Sequence, residues 1–276
     1  MSGQVLHLVR TPVASAALRA FAAYQGVLDD DLGYALHLAL RRRFGVAAPQ
    51  PWRLMPGRDS GPETLLGYTR DPDALRAADP RAITQPAAPP DWEADWRGSE
   101  DAESALAALF PQPFEAKAMP RIFARGAAYG FTLRMRPVVR YGPRAGAARS
   151  AADRRGGHER DAFLAALERR DRAGGNEAGD PREREPIYHA WLERRLGSAA
   201  GLSAFRLVAH RRIRTVRSVP PDAAPRRQSG FAGPETLVDG VLTVADPAAF
   251  AALLAGGVGR HGAFGFGMLL LRPAER

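Results

Sequence analysis

Apolar and polar residues alternate along several segments of the chain with the two-residue period of strands that bury one face. This pattern predicts strands at Gln4–Arg10, Trp52–Met55, Thr64–Thr69, Tyr129–Val139, Phe205–Val219, Glu235–Val244 and Ala263–Leu271. Between the strands, apolar residues at helical spacing, often with Asp before them or Gly after them, predict helices. These helices are expected at Leu32–Phe44, Asp71–Ala78, Glu103–Phe110, Glu185–Leu196 and Pro247–Leu254.

The order of these elements indicates a repeated unit. It is β-α-β-β-α in the first part of the chain and β-α-β-β-α-β in the second, which is the ferredoxin-like arrangement. We predict an α+β fold of two tandem ferredoxin-like (RRM-like) domains with antiparallel sheets, residues 1–118 and 119–276. The sequence does not indicate where the closing strand of the first unit lies.

Two segments interrupt this order. Gln85–Glu100 is rich in Pro, Trp and acidic residues, which predicts a linker or surface excursion. Gly142–Asp180 is poor in apolar residues, which predicts an insertion with one amphipathic turn at Asp161–Arg169 and little other regular structure.

Basic residues are concentrated in two places, although the overall excess is modest at +9. Residues 121–160 hold ten Arg and two acidic residues, and residues 206–227 hold seven Arg and one acidic residue. Clustered arginine attracts polyanions through bidentate phosphate contacts and counterion release, so we expect a nucleic-acid partner. A GC-rich genome would explain why Lys117 is the only lysine, but it does not explain the clustering.

The composition excludes several kinds of site. The chain has no cysteine, which excludes disulfides, thiolate metal ligands and thiol nucleophiles. No His, Asp and Glu spacing indicates a metal site, and we expect no cofactor. The chain shows neither an apolar run of about 18 residues nor a leader pattern at its start, so we expect a cytoplasmic protein without membrane contact.

The carboxy-terminal segment GGVGRHGAFGFGMLLLRP is the most specific motif in the chain. Its glycines lie between a predicted helix and the last predicted strand, next to Arg260 and His261. Glycine lets a backbone approach a ligand closely and offer N–H groups to phosphate. The motif lacks the Gly-Lys-Ser/Thr ending of a Walker loop, and it is not a dinucleotide fingerprint because it opens a strand. A glycine-rich structural turn is the alternative interpretation.

This segment resembles the glycine-rich loop of the repeat-associated RNA-binding proteins of CRISPR systems. VGRHGAFGFGMLLLRP is particularly similar to the CasE family, the precursor-RNA endoribonucleases of Cascade. FTLRMRPVVR, EREPIYHAWLERRLG and RRIRTVRS follow one another in the order of that family. The resemblance covers Tyr129–Arg276 apart from the insertion, and Gln4–Phe44 more weakly.

The resemblance implies a catalytic helix. CasE-like proteins carry Tyr-x-x-His on the first helix and a basic residue five positions after the His, which here are Tyr34, His37 and Arg42. Tyr34 and His37 share a helical face because they are three residues apart, and Arg41 could serve in place of Arg42. Without the resemblance, a Tyr and a His on one helix face indicate core or rim residues more often than catalysis.

The implied activity is metal-independent endoribonuclease cleavage of CRISPR repeat RNA, leaving a 2′,3′-cyclic phosphate. His37 would act as general acid or base, Tyr34 would orient the 2′-oxygen or the phosphate, and Arg42 would stabilise the phosphorane. The implied partners are the repeat or guide RNA stem-loop and other Cascade subunits. Expected RNA contacts are Arg134, Arg136, Arg212, Arg214, Arg217, Gly257, Gly259, Arg260, His261, Gly265 and Gly267.

Three alternatives remain at this point. A protein of the same fold could hold repeat RNA as a scaffold without cutting it. His261 is a rival catalyst, since it lies beside Arg260. An RRM-like mRNA binder would place aromatic pairs on central strands, for which Phe264 and Phe266 are the candidates.

Overall fold

A computed structural model describes residues 5–25, 27, 32–57, 61–78, 100–141, 158–172, 183–217 and 229–274. The strands are β1 (His7–Val13), β2 (Trp52–Met55), β3 (Glu63–Thr69), β4 (Glu115–Ala118), β5 (Ala128–Met135), β6 (Val138–Tyr141), β7 (His158–Asp161), β8 (Ala200–Arg217), β9 (Ser229–Val244) and β10 (Leu269–Pro273). The helices are α1 (Ser15–Tyr24), α2 (Gly33–Phe44), α3 (Pro72–Ala77), α4 (Glu100–Leu109), α5 (Ala162–Arg172), α6 (Arg184–Leu196) and α7 (Pro247–Gly256).

Two four-stranded antiparallel sheets form the framework. The first has the strand order β2-β3-β1-β4, and the second has the order β10-β5-β9-β8. In each sheet the first and third strands of the unit are central and the fourth lies at an edge, which is the ferredoxin-like order. The predicted α+β fold with two ferredoxin-like units is therefore confirmed.

Each sheet contributes to its own apolar core. The first core joins Val9 and Leu65 of the sheet to buried residues of α1, α2 and α4, such as Leu18 and Leu36. The second joins Phe131 and Val238 to α6 and α7. The two sheets also contact each other, since the Tyr68 hydroxyl donates to the Leu269 carbonyl at 2.8 Å. None of the described helices is long and apolar enough to cross a membrane.

Several predicted boundaries were wrong, and two elements were not predicted. The alanine-rich helix α1 was missed, and β4 is the closing strand that the sequence did not indicate. β5 ends at Met135, two residues before Pro137, which has no N–H to donate to a strand ladder. β10 begins only at Leu269, after two glycines with positive φ, Gly265 and Gly267.

The predicted insertion contains more regular structure than a single amphipathic turn. β7 pairs with β6 as an antiparallel hairpin, and α5 follows directly with eleven residues. Residues 142–157 and 173–182 of this segment, and 85–99 of the predicted surface excursion, lie outside the described residues.

α2 and α6 end in the same way in the two units. HLALRRRFG closes α2 and HAWLERRLG closes α6, so His37 and His189 stand at the same distance before Gly45 and Gly197. Both glycines have a φ of 53°, and the N–H of each donates to the carbonyl four residues earlier. The helix that carries the predicted catalytic residues therefore has a counterpart of matching geometry in the second unit.

Candidate active site

α2 places Tyr34 and His37 on one face. Leu36 and Leu40 are at most 1% exposed and Tyr34 is itself 9% exposed, so the helix is held firmly against the first core. Arg41, Arg42 and Arg43 occupy its last turn, where cations interact favourably with the helix dipole. The predicted pair therefore stands on a rigid, well-packed element.

Phe264 connects α2 with the carboxy-terminal glycine segment. Its ring centroid lies 5.8 Å from those of Tyr34 and His37, and 6.0 Å from that of His261. Phe264 belongs to a short 3₁₀ turn, Gly262–Phe264, that packs against α2. The structure thus brings together two regions that are more than two hundred residues apart in the sequence.

His37 is set to be neutral at physiological pH. Burial, and secondarily the charge of Arg41, lower the pKa of its imidazole to about 4. Among the described residues, no hydrogen-bond partner holds the ring. A neutral imidazole can accept a proton, which favours the role of general base over that of general acid.

The three arginines at the end of α2 differ in their surroundings. Arg43 is buried and donates to the carbonyls of Leu106 at 3.0 Å and Ala107 at 3.2 Å. It therefore has a structural role, joining α2 to α4. Arg41 is exposed and lies four residues after His37, on the same helix face. Arg42, the position implied by the resemblance, is half-buried and lies farther round the helix. The geometry therefore favours Arg41 as the cation beside His37.

The glycines of the carboxy-terminal segment are required by the protein's own packing. Gly257, Gly259, Gly265 and Gly267 all have φ between 76° and 83°. The amides of Gly257 and Gly267 donate to the carbonyls of Leu253 and Arg134, each at 2.8 Å, so these two N–H groups are occupied. The prediction that these glycines contact RNA remains untested, and the contacts favour the structural-turn interpretation for Gly257 and Gly267.

Arg260 and His261 share one acidic partner. Glu159 on β7 accepts from the His261 Nε2 at 2.7 Å and pairs with the Arg260 Nε at 2.7 Å. The His261 side chain is only 4% exposed, whereas that of Arg260 is 47% exposed. Arg260 can therefore still reach RNA from the surface, and the burial of His261 does not favour its role as a rival catalyst.

Arg134 and Arg136 lie inside the protein. Arg134 forms a bidentate pair with Glu235 at 3.0 and 3.1 Å and stacks over the Phe266 ring at 4.3 Å. Arg136 is 2% exposed. The assignment of both as RNA contacts remains a prediction, and their geometry favours support of the glycine segment.

The β8–β9 hairpin carries the exposed arginines. β5 pairs with β9 only from Thr236 onward, so the ends of β8 and β9 extend past it as two strands. Arg212 and Arg214 are exposed there, and Ile213 between them packs against the first core. Arg217 lies on β8, but its side chain is outside the described part. β8 also contacts α2, so this strand approaches the candidate site, with Arg212 and Arg214 on the face opposite to Ile213.

The aromatic residues near β10 do not form an RNA-stacking surface. Phe264 is 6% exposed and Phe266 is fully buried in the first core. Both precede β10 rather than lying on a central strand, which counts against an RRM-like mRNA binder. In the described part of the chain, no three His, Asp or Glu side chains converge as a metal site would require.

Sequence reasoning missed Glu159 entirely, because it lies in the predicted insertion. It also missed the role of Phe264, which was considered only as a base-stacking residue. Neither has a local signal, since each acts through contacts with residues distant in the sequence. The one relevant sequence feature was the basic pair Arg260 and His261, because two neighbouring basic residues favour an acidic partner.

Comparisons with known proteins agree with this fold. A family model described as CRISPR associated protein matches residues 6–273. CRISPR endoribonuclease Cse3 bound to a 19-nucleotide RNA is 20% identical, with a TM-score of 0.56, over 98% of this chain and 100% of that one. Thermus thermophilus Cse3 bound to an RNA representing a pre-cleavage complex is 22% identical, with a TM-score of 0.54 and the same coverage. A comparison with curated proteins gives no match. At such identities the two structures establish the fold alone.

Proposed function

The chain belongs to the family of CRISPR-associated proteins, and from this we propose that it is a metal-independent endoribonuclease acting on CRISPR repeat precursor RNA. After cleavage it would retain the 3′ stem-loop of the guide RNA as a subunit of a Cascade surveillance complex in the cytoplasm. The observation that carries the proposal is the neutral His37, placed beside Tyr34 and Arg41 under the glycine segment.

The chemistry needs only the RNA and these side chains. His37 takes the proton of the 2′-hydroxyl as the O2′–P bond forms, and the P–O5′ bond breaks as the departing oxygen takes a proton from water. Tyr34 orients the 2′-oxygen or the phosphate, and an arginine at the end of α2 stabilises the charge on the phosphorane. The products are a 2′,3′-cyclic phosphate and a 5′-hydroxyl.

Cleavage of a repeat hairpin in EDTA tests the proposal. The purified protein is incubated with the hairpin, and the cut is mapped by sequencing the 3′ ends. A 2′-deoxy substitution at the mapped nucleotide should abolish cutting, and the product should carry a 2′,3′-cyclic phosphate. If wild-type protein binds the hairpin but never cuts it, the non-catalytic scaffold of the same fold is the correct function.

Arg41 should contribute more to catalysis than Arg42. Arg41→Ala removes the cation on the face of His37, so we expect kcat to fall on the order of tenfold to a hundredfold. It should also raise the pKa of His37, measured by NMR, because one of the charges that lowers it is gone. Arg42→Ala is the matched control and should change neither quantity by as much. A larger fall of kcat in Arg42→Ala than in Arg41→Ala would instead assign the stabilisation of the phosphorane to Arg42.

Arg212 and Arg214 should bind the phosphates of the RNA stem. A-form RNA is recognised largely by its shape and backbone, which suits an exposed basic hairpin. Arg212→Ala/Arg214→Ala should weaken hairpin binding and lower the slope of log K against log salt by about 1 for each phosphate that the variant no longer binds. The control Arg19→Ala/Arg70→Ala removes the same charge elsewhere on the surface. An equal decrease of the slope in both variants would contradict a specific contact.

A further inference from the structure

Glu159 lies on a hairpin whose base is fixed to the second unit. β6 leaves β5 at Pro137, and the Pro137 carbonyl accepts from the Ala162 N–H at 2.9 Å. The Trp191 Nε1 donates to the Val138 carbonyl at 3.0 Å. Glu159 pairs across this hairpin with Arg140. Its backbone position is therefore set by α6 and the start of α5, not by the glycine segment that its side chain contacts.

The Glu159 carboxylate holds two neighbouring residues of that segment at once. One oxygen accepts from His261 and the other pairs with Arg260, each at 2.7 Å. The hydrogen bond from His261 lowers the pKa of Glu159 although burial opposes it, so the carboxylate is charged at neutral pH. A charged acceptor with two charge-assisted contacts makes a strong local restraint.

The backbone at His261 needs such a restraint. His261 has a φ of 67°, and in the described part of the chain it is the one non-glycine residue with positive φ. A non-glycine residue in this region is disfavoured and persists only when its surroundings impose it. The buried His261 ring, bonded to Glu159, supplies that constraint.

The strained residue sets the position of Phe264. The carbonyl of His261 accepts from the Phe264 N–H at 2.8 Å, which closes the short 3₁₀ turn. The Phe264 ring lies beside those of His261, Tyr34 and His37, with centroids 5.8 to 6.0 Å apart. A continuous series of contacts therefore runs from Glu159 through His261 and Phe264 to His37.

We infer that Glu159 is a positioning residue for the proposed active site, holding His261 so that Phe264 covers His37 and keeps its ring in place. The expected effect on cleavage rests on the proposed function. The positioning of His261 and Phe264 by Glu159 does not depend on it. Phe264 shields His37 on the side of the glycine segment, so displacement of the Phe264 ring should expose the imidazole to water.

Glu159→Ala, with Glu159→Gln as the milder variant, tests the inference. We expect kcat for hairpin cleavage to fall about tenfold to a hundredfold, because misplacing a catalytic environment by about an ångström has such effects. KM should stay within about threefold, since the Glu159 carboxylate is turned toward His261 and Arg260 and is only 18% exposed. The pKa of His37, followed by NMR without RNA, should rise from about 4 toward its ordinary value.

Glu168→Gln is the matched control. Glu168 on α5 pairs with Arg160, the neighbour of Glu159 on β7, but has no contact with the glycine segment in the described structure. This variant should leave kcat and the pKa of His37 unchanged. If Glu159→Ala does not fold, Glu159→Gln decides, with a smaller change in the same direction for both quantities.

The outcomes separate this inference from the proposed function. If wild type fails to cut but Glu159→Ala raises the pKa of His37, the positioning role holds and the nuclease proposal fails. If wild type cuts and both Glu159 variants leave kcat and the pKa of His37 at their wild-type values, the positioning role is overturned.

Discussion

His37→Ala should lower the rate of repeat cleavage by about a thousandfold or more, because a positioned general acid or base contributes on the order of 10²–10⁴-fold. Hairpin affinity should change little, since the half-buried His37 is not a principal phosphate contact. Single-turnover cleavage and a binding titration on the same RNA measure the two quantities. A variant that still cuts at the wild-type rate in EDTA would exclude His37.

His189→Ala is a close internal control for this experiment. His189 precedes Gly197 on α6 by the same interval as His37 precedes Gly45 on α2. It contacts Phe205 edge-on at 5.4 Å and lies 3.5 Å from Glu193, the residue that corresponds to Arg41. Because an acid replaces the cation, His189→Ala should leave cleavage unchanged. An equal loss of activity in both variants would indicate a general effect of removing histidine from these helices.

The pH dependence of kcat/KM for the wild-type enzyme distinguishes whether His37 acts as the general base or the general acid. kcat/KM reports the ionisation of the free enzyme, in which the pKa of His37 is about 4. If His37 is the base, the deprotonated form is active, and kcat/KM should stay level from neutral pH and fall only as pH drops through about 4. A general acid with this pKa would instead lose activity as pH rises above it.

The features that could be predicted from the sequence were those marked by a pattern of neighbouring residues. The glycine segment, the Tyr34–His37 spacing and the alternating strand Glu235–Val244 are local patterns, and the family and the ferredoxin-like order they implied are confirmed. The predicted start of helix α6 differs from the observed one by a single residue, and the predicted end is the observed one. Acidic residues near its start and Gly197 after its end mark both boundaries in the sequence.

Short or exposed elements could not be predicted in this way. β4 has four residues, EAKA, which are largely exposed and show no apolar alternation. It is a strand because it pairs with β1, and that pairing depends on tertiary structure. Helix α1 was missed for a related reason. Its many alanines do not distinguish a buried face from an exposed one, and Leu18 and Phe21 are the only large side chains among its buried residues.

The placement of Arg134 shows the limit of local reasoning about charge. Alternation on β5 puts Arg134 opposite Phe131 and Leu133, which predicts an exposed cation. The glycine segment covers Arg134 on that face, however, since its guanidinium lies over the Phe266 ring and donates to the Phe264 carbonyl. Glu235, which neutralises Arg134, lies 101 residues away in the sequence. A surface prediction for a charged residue therefore requires knowledge of which segments pack on each face of the sheet.

Gly267→Ala should destabilise the protein by about 2 kcal/mol or more and impair cleavage, because alanine is disfavoured at positive φ by about 1–2 kcal/mol before any clash. Gly267 has a φ of 83°, and a Cβ there would lie 2.5 Å from the carbonyl oxygen of Val258. That contact is with backbone, which cannot move without breaking the bond from the Val258 N–H to the Gly267 carbonyl.

Gly256→Ala provides the comparison within the same segment. Gly256 is the last residue of α7, and a Cβ there would meet nothing within 4 Å. Since alanine favours helices over glycine by about 1 kcal/mol, this variant should be as stable as wild type or slightly more so. Thermal unfolding and hairpin cleavage of both variants measure the effects. If both glycines tolerate alanine equally, the segment is held less tightly than its contacts imply, and Phe264 would not be fixed over His37 by the backbone of this segment.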